Sequence, residues 1–380
     1  MALYSIPYVQ VAKQYAEERE ELEAVIQDVL ANRSHVADPL VDELEEELTA
    51  YCGTKYAIAL NSGTDALMFA MTTAGIKPGD EVITPPNSFV ASTSTIVHIG
   101  AKPVFADVLP DQNIDPDAVE AAITPRTKAI MAVHLTGRVC QMDRLQKIAD
   151  KHGLIIIEDA AQSIGSKYNG KKSGSFGVAG CFSTHPLKNL NACGDGGFIT
   201  TSNAEIANRV RRMRAHGMSD RVTVEEWGFV SRMDTLQAAI LKFRLKNLQS
   251  VIDRRRANAK YYQENLNHPC IFFPADRKEE YNTFHTFVIQ VQGHRDALQT
   301  HLAKLGIKTT IHYPIPIHLQ PAAKSLGYKK GDFAVTESQS EKILTLPVNQ
   351  YITRADQDAV IKETLTFMNQ VSQNTERKIG

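Results

Sequence analysis

The chain lacks most of what marks a membrane, secreted or nucleic-acid-binding protein. Its 42 Lys and Arg are balanced by 43 Asp and Glu, so there is no basic field to hold nucleic acid or an anionic bilayer. Apolar runs such as Leu154-Ile-Ile-Ile157 are far too short to span a membrane. The opening Met-Ala-Leu-Tyr-Ser-Ile-Pro-Tyr has no basic segment followed by an apolar core, so no secretory leader is expected. The five cysteines (Cys52, Cys140, Cys181, Cys193 and Cys270) form neither a CxxC pair nor a Cys/His ligand pattern. They argue against a disulfide framework or a metal site and fit a reducing, cytoplasmic setting. Repeats and low-complexity segments are missing too. No Gly-x-Gly-x-x-Gly follows the first expected strand, which sets aside a nicotinamide dehydrogenase.

What remains is an ordinary globular composition, 43% hydrophobic and 22% charged, in 380 residues. That length suits a large and a small lobe, expected as 1–250 and 251–380. Helices are expected at about 8–31 and from Pro39, where Asp38 can cap and Gly53 can stop the second. From residue 56 short apolar runs alternate with helical stretches: strands at 56–60, 81–84, 103–106, 129–135 and 154–158. This alternation predicts an α/β fold with a mostly parallel sheet, whose ligands sit beyond the carboxyl ends of the strands. A further strand is expected at 196–201, a helix at 204–215 and a patternless loop at 216–230. One long helix from 234 to 265 then leads to a smaller α+β lobe. That lobe is expected to hold strands at 283–291 and 307–311 and helices at 295–305, 337–344 and 355–368.

The stretch Cys181-Phe-Ser-Thr-His-Pro-Leu-Lys188-Asn-Leu-Asn-Ala-Cys-Gly-Asp-Gly-Gly197 sets a lysine among turn-forming residues rather than other charges. A lysine held between packed elements loses its proton more easily and can attack a carbonyl as a Schiff-base nucleophile. Ser62-Gly63-Thr64 lies where a strand passes into a helix, and is either a phosphate turn or a plain helix cap. Asp159 ends an apolar strand, as a partner for a pyridine nitrogen or as a cap for the following turn. Phe89 is a ring stacker or core, and Ser183 a further hydroxyl for a phosphate. Together, at successive strand ends, these pieces supply the functions that pyridoxal phosphate requires.

With these motifs on view, the sequence resembles the DegT/DnrJ/EryC1/StrS family of sugar aminotransferases, within the type I fold of pyridoxal-phosphate enzymes. The resemblance runs from about residue 6 to 368. It rests on Asn61-Ser-Gly-Thr-Asp-Ala-Leu, Gly79-Asp-Glu-Val-Ile-Thr-Pro, Glu158-Asp-Ala-Ala-Gln, His185-Pro-Leu-Lys-Asn-Leu, Gly194-Asp-Gly-Gly, Ser231-Arg-Met-Asp and Ile311-His-Tyr-Pro, among others, in that order. It implies a seven-stranded sheet in the large domain and roles by position. Lys188 matches the lysine that holds the cofactor, Asp159 the pyridinium partner, and Gln162 the neighbour of the ring hydroxyl. Ser62, Gly63, Thr64 and Ser183 match the phosphate cup, and Phe89 the ring stacker. His185 is either a proton shuttle or a packed histidine. Arg221, His312, Tyr313 and His318 are expected on the substrate side.

The implied reaction is ping-pong transamination, with a pyridoxamine form between its halves, from an amino acid such as L-glutamate to a keto sugar, nucleotide-linked. Amino-sugar and polysaccharide biosynthesis would be its setting, and a homodimer with interfacial sites its assembly. The Gly-Asp-Gly-Gly run resembles the branch acting at C-3, the His-Pro before the lysine the branch acting at C-4; the reading leans to C-3. Two alternatives stand beside it, amination of a keto-cyclitol and a regulatory protein that merely holds the cofactor. The sequence departs from the family at Val230, where relatives carry an asparagine that reaches the neighbouring subunit's phosphate, and at Arg221-Val-Thr-Val. Arg221 and Arg232 are the candidates to replace that contact.

Overall fold

The computed structural model describes residues 3–379, with side chains through residue 373. Two helices come first, α1 (Val11–Asn32) and α2 (Pro39–Cys52). Pro39 needs no amide partner at the first helical position, and the Asp38 side chain accepts from the Leu40 amide at 3.0 Å. Gly53 closes α2 in the left-handed conformation, with φ of 72°.

Alternation follows: β1 (Tyr56–Leu60), α3 (Gly63–Thr73), β2 (Glu81–Thr84), α4 (Ala91–His98), β3 (Lys102–Phe105), α5 (Pro116–Ala121), β4 (Thr127–Val133), α6 (Met142–His152) and β5 (Ile155–Asp159). A small hairpin, β6 (Lys167–Tyr168) and β7 (Lys171–Lys172), precedes β8 (Ala179–Ser183), β9 (Gly197–Thr201) and α7 (Ala204–Met213). Seven strands form one sheet in the order β1-β9-β8-β5-β4-β2-β3. Strand β9 is antiparallel to both neighbours, and the other pairings are parallel. Side chains alternate between two cores. Ile58 and Leu60 pack with Phe69 and Met71 of α3, while Ala57 and Ala59 face Leu44 and Leu48 of α2. With both faces covered, a polar ligand is left the strand ends.

Helix α8 (Thr235–Asn265) runs from the first lobe into the second, and the expected division at 250/251 falls inside it. Beyond it come β10 (Ile271–Phe272), β11 (Glu280–Tyr281), β12 (Phe287–Val291), α9 (Arg295–Leu305), α10 (Ala334–Ser340), β13 (Ile343–Leu346) and α11 (Arg354–Ile379). Strands β10, β12 and β13 form an antiparallel sheet, while β11 returns to pair with β6. Near the amino terminus, Ile6 bridges to Ile307 and packs in the second lobe's core with Tyr262 and Leu302.

Two sequence expectations need correction here. The strand expected at 307–311 is a pair of isolated bridges, Ile6 to Ile307 and Thr310 to Thr345. The helix expected at 337–344 ends at Ser340, and the next apolar residues form β13. All four side chains of β13 are buried, so the run carries no alternation that would separate a strand from a buried helix.

Candidate active site

Strand β8 ends at Ser183 and the chain returns as β9 at Gly197. Between them the loop closes on itself: the Thr184 amide donates to Gly196 O at 2.9 Å, and the Ala192 amide to Thr184 O at 2.7 Å. The Lys188 amide donates to His185 O at 2.8 Å, and Asn191 Nδ2 to Pro186 O at 2.8 Å. The result is a rigid turn that carries Lys188 into a cavity of about 460 Å³ at the carboxyl ends of the central strands. Burial disfavours the ammonium form and brings the Lys188 amine down to about 8, with Asp159 pulling weakly the other way. A substantial share of that amine is therefore neutral at mildly alkaline pH.

Asp159 is the last residue of β5 and lines the same cavity. Ser92 Oγ donates to its Oδ2 at 2.8 Å, and the Ala161 amide to its Oδ1 at 3.2 Å. Burial nevertheless raises its pKa, against these bonds and against Lys188 and His134. A buried carboxyl of this kind gains from a cation placed beside it. Glu158, one residue earlier, points to the other face and has a structural task. Its carboxylate accepts from the amides of Gly174 (2.7 Å), Phe176 (2.6 Å) and Gly177 (2.7 Å), and meets His134 Nε2 at 2.9 Å.

The start of α3 also lines the cavity. Ser62 caps it by accepting from the Asp65 amide at 3.1 Å. The amides of Gly63 and Thr64 point out of the first turn, where a helix leaves its N–H groups for an anion. Gly63 is required by close approach: a Cβ there would lie 2.7 Å from Ser183 Cβ and 3.0 Å from Ser183 Cα. That contact holds Ser183 against the first turn of α3, where its Oγ accepts from the His185 amide at 3.3 Å.

Phe89, 55% exposed, stands over the cavity with its ring centroid 6.2 Å from that of Tyr313. Gln162 accepts from the Thr136 amide at 2.8 Å and approaches the Tyr313 hydroxyl at 3.4 Å. His185 lies at the mouth, its Nδ1 accepting from the Leu187 amide at 3.3 Å. His312 lines the wall, with Nδ1 3.0 Å from Thr345 Oγ1; burial, and then the nearby Lys188, bring it down to about 4.

Ser62, Gly63, Thr64, Phe89, Asp159, Gln162, Ser183, His185, Lys188, His312 and Tyr313 are thus brought together. His318 is not. It is buried between Phe105 and Phe333 and hydrogen-bonds Glu337 Oε1 at 3.0 Å, away from the cavity lining. Arg221 is exposed on the loop at 216–230 and lies outside the lining as well. That loop has two bridges, Met218 to Val224 and Ala215 to Val230, and its end is tied to Asn61 through the Ser231 carbonyl at 3.1 Å.

Sequence reasoning passed over Ser92, Asp195 and His285, which hold Asp159 or line the cavity. Ser92 carried a signal, being one helical step after Phe89; His285 lies in the second lobe and carried none.

The residues present fit pyridoxal phosphate on three observations: a desolvated amine, a buried carboxyl that gains from a cation, and two free amides beside a glycine that admits no Cβ. Comparisons with known proteins agree. The DegT/DnrJ/EryC1/StrS aminotransferase family matches residues 16–365. A pleiotropic regulatory protein of Geobacillus stearothermophilus is 39% identical, covering 96% of this chain and 98% of the relative. The dTDP-3-amino-3,4,6-trideoxy-alpha-D-glucose transaminase of Streptomyces venezuelae is 38% identical, covering 97% of each chain. Among solved structures, S. venezuelae DesV in complex with a ketimine intermediate superposes with a TM-score of 0.93 at 38% identity, covering 96% of this chain and 98% of that one.

Proposed function

The chain belongs to the DegT/DnrJ/EryC1/StrS aminotransferase family and is a pyridoxal-phosphate-dependent transaminase, and from that premise we propose that it moves the amino group of an amino acid, L-glutamate, to C-3 of a nucleotide-linked keto sugar. The observation that carries the chemistry is Lys188 in one cavity with Asp159: a desolvated amine and a buried carboxylate that line the same space of about 460 Å³.

Pyridoxal phosphate, when bound, supplies an aldehyde for amines and a ring that accepts an electron pair. In this reading the Gly63 and Thr64 amides and the Ser183 hydroxyl bind the phosphate. Asp159, fixed by Ser92, keeps its negative charge against the ring nitrogen, and Phe89 covers one ring face. Gln162, oriented by the Thr136 amide, stands by the ring hydroxyl. Nζ of Lys188 removes the proton from the donor's α-carbon in the first half-reaction and delivers one to the acceptor carbon in the second. His185 at the mouth relays protons to solvent, and His312 and Tyr313 wall the acceptor side.

Support for C-3 comes from Gly194-Asp-Gly-Gly and from the S. venezuelae relative, named for a 3-amino sugar. A panel of 3-keto and 4-keto dTDP- and UDP-sugars with L-glutamate, followed by 2-oxoglutarate release, tests it. Turnover confined to 4-keto sugars would sink C-3, and turnover of a keto-cyclitol alone would sink the sugar reading.

The functional unit in this proposal is a homodimer. Val222, Trp227, Phe229 and Val230 are exposed on the loop tied to Asn61, and Phe89 and Leu187 are exposed at the cavity mouth. An apolar set of this size around a polar cleft marks a surface that another chain covers. With Val230 in the family's asparagine position, the proposal gives the cross-subunit phosphate contact to Arg221 or Arg232. A fully active monomer by light scattering would overturn it.

A further inference from the structure

Among the described residues, three arginines are buried to 8% exposure or less: Arg138, Arg244 and Arg255. Arg138 pairs with Glu280 and Asp276, and Arg244 with Glu18. Arg255 has no carboxylate partner among the described residues. Its Nε donates to Gln350 Oε1 at 3.2 Å and its Nη1 to the carbonyls of His285 (3.0 Å) and Phe284 (3.4 Å). Neutral acceptors therefore hold one side of the fork, and Nη2 has no acceptor among the described residues. An ionised guanidinium out of water without a counter-charge is costly, and proteins seldom leave one so. Burial shows in its pKa, pulled down to about 10.

The space around Arg255 says where the missing charge goes. A recess of about 50 Å³ is lined by Tyr8, Leu187, Arg255, His285, His312 and Asn349. Leu187, His285 and His312 also line the Lys188 cavity, so the recess opens off the active site. A second recess reaches from Arg255 to Lys188 itself. Neither recess has an acidic lining residue. A lone water needs at least about 10–15 Å³, so the first has room for a small planar anion. His285 Nδ1 is buried with no hydrogen-bond partner, an independent sign that a polar group is missing beside it. Burial, Lys188, Arg255 and His312 all keep that histidine neutral, so its ring can serve as a hydrogen-bonding wall while Arg255 carries the charge.

We infer that the recess at Arg255 is a carboxylate subsite, and that the carboxylate it takes is one borne by the amino-acid donor. The inference rests on the transaminase reading of the same cavity and adds what that reading leaves open, namely how a donor is held while its amine meets the cofactor. Arg255 suits the task because Nη2 still has its N–H donors to give, and a hydrogen bond from a guanidinium to a carboxylate is charge-assisted.

The test uses holoenzyme. Calorimetric titration with glutarate, which carries the carboxylates of a dicarboxylic donor without its amine, is compared with its neutral diamide. Wild type should bind glutarate at least about tenfold more tightly than the diamide, as a charge-assisted pair implies. Arg255→Gln should abolish that preference and Arg255→Lys should keep part of it. In stopped-flow absorbance, Arg255→Gln should slow the half-reaction with subsaturating L-glutamate by roughly 10- to 100-fold. The half-reaction with a dTDP-amino-sugar that bears no carboxylate should stay within about threefold, because that sugar offers Arg255 no carboxylate to lose. Equal binding of glutarate and its diamide by wild type overturns the inference without any variant. Equal loss of both half-reactions in a folded Arg255→Gln protein overturns it too, since the arginine would then support the site as a whole. A wild type that prefers glutarate but reacts with neither amino acid nor amino sugar would uphold the subsite and overturn the transaminase reading.

Discussion

Ser92 Oγ and Asp159 Oδ2 are 2.8 Å apart, joining the first turn of α4 to the end of β5 across the floor of the cavity. The serine is itself fixed by Ser88 at 2.6 Å, so the carboxylate cannot swing. Replacing Asp159 with Asn swaps an acceptor for an amide that cannot neutralise a protonated ring nitrogen. Asp159→Asn should lower kcat/KM at least about 100-fold, the loss of a buried charge-assisted bond. Ser92→Ala keeps the charge and frees only its aim, so a loss of about threefold to tenfold is expected. Steady-state kinetics with a fixed donor separate the two.

Gly63 presses on Ser183 so tightly that a Cβ would sit 2.7 Å from the serine's own Cβ. Alanine is otherwise the better helix residue by up to about 1 kcal/mol. Here the neighbour is the backbone end of β8, which cannot yield cheaply, so overpacking wins. Gly63→Ala should cost about 1–3 kcal/mol of stability and weaken cofactor retention. Urea unfolding and dialysis against phosphate buffer check both.

The amine of Lys188 lies near 8 rather than at 10.5. Its neutral, nucleophilic form therefore grows as pH rises through about 8 and is lost below it. The rate at which apoenzyme takes up pyridoxal phosphate covalently should rise steeply between about pH 7 and 9 and flatten above, not climb on past pH 10 as an ordinary lysine would. Visible absorbance after mixing, across a pH series, gives the midpoint.

Glu158 holds three backbone amides and His134 with no exposed surface. Glutamine has one acceptor oxygen, so its amide nitrogen must face a donor. Glu158→Gln should destabilise by about 2–4 kcal/mol, read as a lower urea midpoint with an unchanged m-value.

Trp227 is the chain's single tryptophan and is 93% exposed in one protomer. Pairing of two copies over this loop should bury it, giving a blue-shifted emission that moves red on dilution in step with the sedimentation coefficient. Emission typical of free indole at concentrations where the protein sediments as a dimer would place the interface elsewhere.

Much of this was legible before any coordinates. Asp38, Pro39 and Gly53 punctuate α2 through local bonds, which a local reading can find. Asp159 and Lys188 were legible because a strand ending in a carboxylate, and a lysine in a turn, report their own surroundings. His318 was misplaced for the opposite reason. The turn around it reads as a pocket wall, but Phe105 from the first lobe and Phe333 enclose the ring. Ser62-Gly63-Thr64 was read as either a phosphate turn or a helix cap, and the Ser62 hydroxyl caps α3.

The sequence by itself determined the strand–helix alternation from β1 to β5, the ends at which polar residues gather and the chemistry those residues carry, because each depends on neighbours within a few positions. Tertiary structure decided which of them meet. The Gly63–Ser183 contact, the Ser92–Asp159 bond, the exclusion of His318 and the unpaired charge of Arg255 beside His285 all join segments far apart in the chain. Burial, which shifts Lys188 and leaves Arg255 without a carboxylate partner among the described residues, is a property of the packed assembly and has no period in the sequence to announce it.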